Sequence, residues 1–196
     1  MTPIDYSILS AASRYYAGKY KEIGDAPWFV GEEAISSTKP SFAPLLKLNS
    51  PEAADDYSCH PVASAEQSFI QLMLWDIMPV GRHFAITPCV RSEPIDSLCD
   101  TVRFCFMKLE LINYTANVKP AENLLTEIVD DALYFFKDWG VDVFTEATDQ
   151  GIDILHVKTG LELGSYGIRQ WKDYNWVYGT GLAEPRFSIA RNAGNE

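Results

Sequence analysis

The chain has 196 residues, 47% of them hydrophobic and 13% aromatic, which suits one folded domain with its own core and excludes a disordered chain. No apolar run approaches the roughly 20 residues a bilayer span needs. The opening stretch MTPIDYSILSAASRYYAGKY carries Asp5 where a secretion signal wants positive charge, so a soluble, cytoplasmic protein is expected. The formal net charge of −11 disfavours a broad nucleic-acid surface, because affinity for phosphate backbones comes largely from Lys and Arg; a local basic pocket stays open.

Apolar residues at Ile4, Ile8, Leu9, Ala12 and Tyr15–Tyr16 predict a first helix within IDYSILSAASRYYAGKYKE, broken between Gly24 and Pro27 and followed by WFVG. From Ser36 to His60, Pro40, Pro44, Pro51 and an acidic EAADD predict loop with a strand or two. Ser64 to Met78 reads as a second helix with Ser64 as its N-cap. Two strand-like runs follow, RHFAITPCVRSE and TVRFCFMKLELINY, joined by PIDSLCD into a hairpin with a long tip. AENLLTEIVDDALYFFKDWG is the clearest helix, with Pro120 at its start and Gly140 at its end. VDVFTEA, IDILHVK and LELGSYGIRQW then predict three strands ahead of VYGTGLAEPR. Helix, hairpin, helix and consecutive strands imply an α+β fold built on a mostly antiparallel sheet of six or seven strands, in one domain over residues 1–196.

The four cysteines show no Cys-x-x-Cys and no histidine at zinc spacing, so buried reduced thiols are expected, and His60, His83 and His156 are too scattered to suggest a metal centre. The Gly179-Thr180-Gly181 pair hints at a phosphate loop, yet no Gly-x-Gly-x-x-Gly or Gly-Lys-Ser/Thr accompanies it. Three groups do line up in order. They are Arg91-Ser92-Glu93 with Phe104 and Phe106 across the hairpin, Glu162 with LGSYGIR, and GTGLAEPR ending in Arg186.

This order resembles the signatures of class II aminoacyl-tRNA synthetases and their relatives. Arg91-x-Glu93, loop and aromatic strand resemble that family's motif 2, and GTGLAEPR resembles its motif 3, with Ala183 in place of the third glycine. DAPWFV is similar to motif 1, the dimer-interface element, with Pro27 as its proline. HPVASAEQSFIQ takes the place of a substrate-facing helix start, and DILHVKTGLELGSYGIR is most similar to ammonia-dependent asparagine synthetase, a relative of the aspartyl and asparaginyl enzymes.

The resemblance implies a class II synthetase-like catalytic fold in which a carboxylate attacks the α-phosphate of ATP, giving an acyl-adenylate and pyrophosphate. Arg91 would bridge carboxylate and α-phosphate, as a planar guanidinium does better than lysine. Glu93 would accept from the adenine amino group, and Phe106 or Phe104 would stack on the base, FMKLE matching the family's Phe-x-x-x-Glu. Gly179 and Gly181 would let the backbone pass close to the nucleotide, and Arg186 would take the γ-phosphate. Glu162, with Glu110 or Asp153, would hold Mg²⁺ against the phosphates. Ser64, Glu66 and Arg169, with Ser165, Gly167 and Glu110 nearby, would read an amino acid; aspartate is the first guess.

Two departures bear on this reading. Pro185 directly precedes the motif 3 arginine, and the PIDSLCD tip lacks the basic residues that grip triphosphate in the family, leaving Arg103 to take that place. With no anticodon-binding domain expected and an acidic balance, the acceptor implied is ammonia, an amine or another non-tRNA group, and tRNA binding is disfavoured. The other reading is an inactive paralogue that keeps the pocket as a regulatory or structural subunit. A homodimer through the segment around Pro27 is expected, with no membrane association.

Overall fold

A computed structural model describes residues 1–38, 46–48 and 59–194. Helix α1 (Tyr6–Tyr16) is capped by Asp5, whose carboxylate accepts from the Ser7 and Ile8 amides, and it buries Ile8, Leu9, Ala12 and Tyr16. It is shorter than its periodicity suggests: Lys21–Glu22 leave the helix as strand β1, the one parallel partner of β4 (Gly81–Val90). Strand β2 (Phe29–Val30), a short helix α2 (Glu32–Ser36) and strand β3 (His60–Pro61) follow, with Leu48 bridging Cys59. Of the Ser36–His60 region, read as loop with a strand or two, residues 39–45 and 49–58 lie outside the described residues.

Helix α3 (Ala65–Leu74) begins, as predicted, with Ser64 accepting from the Glu66 amide, and stops before Asp76, which takes φ +56°. β4 and β5 (Cys105–Tyr114) pair antiparallel over their full length, joined by a tip that holds a single 3₁₀ turn at Ile95–Ser97. Helix α4 (Glu122–Asp138) ends at Gly140, whose φ of +73° favours glycine. Strands β6 (Val143–Thr148), β7 (Gly151–His156), β8 (Glu162–Trp171) and β9 (Tyr174–Glu184) then run antiparallel into helix α5 (Arg186–Gly194). The sheet has seven strands in the order β1-β4-β5-β9-β8-β7-β6, the mostly antiparallel α+β architecture expected.

Side chains alternate across a strand, and here the alternation separates two environments. Leu109, Leu111, Val177 and Leu182 face a core shared with α1, α4 and α5, where Tyr16, Phe135, Phe136 and Phe187 are fully buried. Ile112, Tyr114, Trp176 and Tyr178 face the opposite side, under α3. Where the cover of α3 stops, that second face opens into a cleft of about 860 Å³.

The two glycines of the GTG stretch belong to the first of these environments. They lie inside β9, and a Cβ on Gly179 would come within 2.4 Å of the Tyr166 ring, one on Gly181 within 2.5 Å of Leu109 and 2.9 Å of Tyr16. The backbone-approach role expected of them is therefore corrected: their missing side chains make room for buried aromatics on the helix side of the sheet. Gly179→Ala should cost about 1–3 kcal/mol of stability by overpacking, measurable as a lowered urea midpoint with an unchanged slope.

Candidate active site

The cleft is floored by β5, β9 and β8 and walled by the hairpin tip and the start of α3. Along β5 the alternation points Phe106, Lys108 and Glu110 into it. Four residues of strand, about 14 Å, separate Phe106 from Glu110.

At the hairpin end stand three arginines from separate stretches, Arg91, Arg103 and Arg186. Strand β4 ends at Val90, so Arg91 and Glu93 sit just beyond it rather than on it, although the Arg91 amide still bonds the Phe104 carbonyl at 2.9 Å. The Arg91 guanidinium lies 4.9 Å from the centre of the Phe106 ring, and its Nε donates to the Ala63 carbonyl at 3.4 Å. Arg103 donates to the Asp100 carbonyl through Nε, and its buried Nη2, 3.6 Å from the Asp100 carboxylate, makes no hydrogen bond.

Arg186 opens α5 just after Pro185, whose peptide bond to Glu184 is cis. Its Nε donates to the Thr101 carbonyl at 3.2 Å, and Nη1 faces the Glu162 carbonyl at 3.4 Å and the Glu162 carboxylate at 3.7 Å. Behind it, the fully buried Glu184 accepts from the amides of Asp5 and Ser188 and from the Ser188 hydroxyl. Burial pushes the Glu184 carboxyl above its usual range, while those hydrogen bonds pull it back.

In the middle, Glu110 is 1% exposed. Its Oε2 accepts from the Ser64 hydroxyl at 2.8 Å and lies 2.6 Å from Lys108 Nζ, while its buried Oε1 has no partner. Thr180 pairs with Glu110 in register, and its hydroxyl accepts from the Ser165 amide at 3.4 Å.

At the far end, Glu66 is clamped. Oε1 accepts from the Trp176 indole and Oε2 from Arg169 Nη1, both at 2.7 Å, and the Arg169 guanidinium stacks 4.3 Å over the Tyr178 ring. Burial raises the Glu66 carboxyl above its ordinary range, against the pull of Arg169. Expected to read a substrate separately, Glu66 and Arg169 are instead each other's partners.

Of the residues singled out by sequence, Ser64, Glu66, Arg91, Glu93, Arg103 and Phe106 meet in this one cleft, as do Glu110, Glu162, Ser165, Arg169 and Arg186. Four others do not line it besides Gly181: Phe104, Asp153, Gly167 and Gly179. Phe104 precedes β5 and is 41% exposed, so alternation does not carry it to the Phe106 face. Asp153 pairs with Ser165 one strand further out. A Cβ on Gly167 would meet the Tyr178 ring at 2.8 Å, so this glycine gives that ring its place. Lys108, Thr180, Trp176 and Tyr178 were missed, though stepping by two from Phe106 reaches Lys108 before Glu110.

Among the described residues no group of three or more His, Cys, Asp or Glu is placed to hold a metal ion. All four cysteines are free, but only Cys89 is fully buried, its thiol pushed up to about 11 by burial; Cys99 and Cys105 are exposed, which corrects the expectation of four buried thiols. No helix among the described residues is long and apolar enough to cross a membrane.

No protein-family model matches the chain, and no curated protein matches it in sequence. Solved structures do. A pyrrolysyl-tRNA synthetase from Desulfitobacterium hafniense superposes with a TM-score of 0.68 at 16% identity, covering 96% of this chain and 69% of its own. The cytoplasmic serine-tRNA ligase of Naegleria fowleri, solved with AMP, gives 0.73 at 14% identity over 94% of this chain, which spans 47% of that enzyme. The chain thus has the fold of class II aminoacyl-tRNA synthetase catalytic domains.

The clamp on Glu66 gives a signed prediction. Removing the cation with Arg169→Met leaves a buried carboxylate whose folded pKa rises further above its unfolded value. The variant then keeps most of its stability below the ordinary carboxylate range and loses it as pH rises through the raised pKa. Thermal denaturation should show a loss of about 3 kcal/mol at pH 8 and a clearly smaller one at pH 5.

Proposed function

We propose that the protein is an ATP-dependent ligase that activates an amino acid as its adenylate. The observation that carries this is the polarity of the cleft. Three arginines gather at the Phe106 end, and a buried carboxylate with one unpartnered oxygen, Glu110 Oε1, waits about 14 Å along the same strand. A nucleotide wants the first, an α-ammonium group the second.

In this reading adenine stacks on Phe106, with Glu93 accepting from its amino group. Arg91 now covers that ring, so it must lift off as the base arrives; freed, it bridges the amino-acid carboxylate and the α-phosphate. Charge develops on the phosphate oxygens as the carboxylate attacks, and preorganised cations are the protein's main contribution. Arg103 and Arg186 face the departing pyrophosphate. Mg²⁺ sites are commonly completed by one or two carboxylates and the substrate's phosphates. Glu162, at the cleft wall with 47% of its side chain exposed, fits that use, whereas Asp153 does not. When bound, the ion supplies further positive charge to the phosphates.

Aspartate or a similar acidic amino acid is the first candidate substrate, because Arg169 faces the cleft; such a side chain competes with Glu66 for the guanidinium. The acceptor proposed is ammonia, an amine or another non-tRNA group. A homodimer would form around Pro27, where Phe29 on β2 and Trp28 just before it are 46% and 55% exposed.

Amino-acid-dependent ATP–pyrophosphate exchange, run with all twenty amino acids, tests the activity. Exchange with one amino acid is expected, reduced about 100- to 1,000-fold by Arg91→Ala and by Arg186→Ala. ATP binding without exchange would favour the inactive paralogue, and neither would leave only the fold. Sedimentation equilibrium tests the assembly: the wild type should be dimeric and the Trp28→Glu/Phe29→Glu variant monomeric. A monomeric wild type removes the interface.

A further inference from the structure

Lys108 is the one cation that β5 turns into the cleft, and nothing above gives it a task. Its side chain is only 13% exposed, and its ammonium is 2.6 Å from Glu110 Oε2 and 3.5 Å from the Ser64 hydroxyl. Burying a lysine against a carboxylate that is itself 1% exposed carries a desolvation cost that an apolar pair of similar volume avoids. Structure alone gives no reason to accept it.

Position supplies one. Phe106 and Glu110 face the cleft two residues to either side of Lys108, about 7 Å each way along β5. With the base on Phe106 and the ammonium on Glu110, the atoms that must lie over Lys108 are the amino-acid carboxylate and the α-phosphate. This rests on the proposed activity and deepens it: we propose that Lys108 is a catalytic cation of the adenylation step, held on Glu110 until the amino acid arrives. Glu110 Oε2 is already shared by Lys108 and Ser64, and Oε1 is buried and free. An ammonium docking on Oε1 gives Glu110 a second cation, loosens its hold on Lys108, and leaves that side chain to a non-bridging oxygen of the α-phosphate. The step balances without a proton. A carboxylate oxygen bonds to the α-phosphorus, the bridge to the β-phosphate breaks, and pyrophosphate leaves with the electron pair while Lys108 stays an ammonium ion throughout. Arg91 starts on the Phe106 ring and Lys108 on Glu110, so one cation is released by each substrate.

The test uses Lys108→Gln, which removes the charge yet can still donate to Glu110 and so protects the fold, beside Lys108→Arg, which restores a charge; thermal denaturation checks both. Exchange is measured with the amino acid that supports it in the wild type, and ATP affinity by calorimetry with and without that amino acid. Expected for Lys108→Gln is a fall in kcat of about 100-fold with little change in the KM for ATP. The tightening of ATP by the amino acid should be lost with it, and Lys108→Arg should recover part of the rate. A kcat for Lys108→Gln within about threefold of wild type, or a change confined to KM, overturns this role and leaves the ligase reading standing, since uniform binding and transition-state stabilisation separate in that way. Absence of exchange in the wild type with every amino acid overturns both. If Lys108→Gln does not fold, Lys108→Arg decides: a lowered kcat with the KM for ATP unchanged supports the role, and a change confined to KM overturns it.

Discussion

The pleat of β5 and β9 is the constraint from which the rest of the molecule follows. Successive residues of β5 face opposite sides, so Leu109 and Leu111 enter the helix-covered core while Phe106, Lys108 and Glu110 enter the cleft. A slip of one residue would bury the ionic face among Tyr16, Phe135 and Phe187 and expose the leucines. The antiparallel register of β5 with β4 and β9 holds that division, and the bulge between Leu109 and Glu110 adjusts it where the cleft begins. One strand thus serves as wall of the core and bench for the charged groups.

The charges on that bench are arranged in opposing pairs. Lys108 with Glu110 and Arg169 with Glu66 neutralise the floor, inside a chain whose formal charge is −11. The hairpin end is different, because Arg91 leans on an aromatic face and Arg103 has a buried nitrogen without a hydrogen bond. An acidic protein can therefore keep a locally positive pocket without becoming a general polyanion binder, since the net field outside remains negative.

Much of this was legible in the sequence, for identifiable reasons. Helix α4 was marked by Pro120 and Gly140, and its apolar face has the helical period. The hairpin and the run of strands from β6 to β9 were likewise visible as alternation. The end of α1 was not, because Lys21 and Glu22 become a strand only through pairing with β4, a contact distant in sequence. The same limit misled the reading of Gly179 and Gly181. Two close glycines signal a phosphate loop and a crowded core equally well, and only the positions of Tyr16, Leu109 and Tyr166 distinguish them. Glu66 and Arg169 were each found as polar residues of the right type, but 103 positions separate them and nothing local says that they bind each other.

Glu184 and Arg186 together make a mount with two fixings. The buried Glu184 carboxylate fastens the first turn of α5 to the amide of Asp5, while the guanidinium of Arg186 reaches out to Thr101 on the hairpin tip and to Glu162 at the head of β8. The backbone side is rigid and dry; the tip side is open to water. The tip is thus tied to the body by Arg186 at Thr101 and by the Thr2 hydroxyl at Asp100, so losing either tether leaves the other in place.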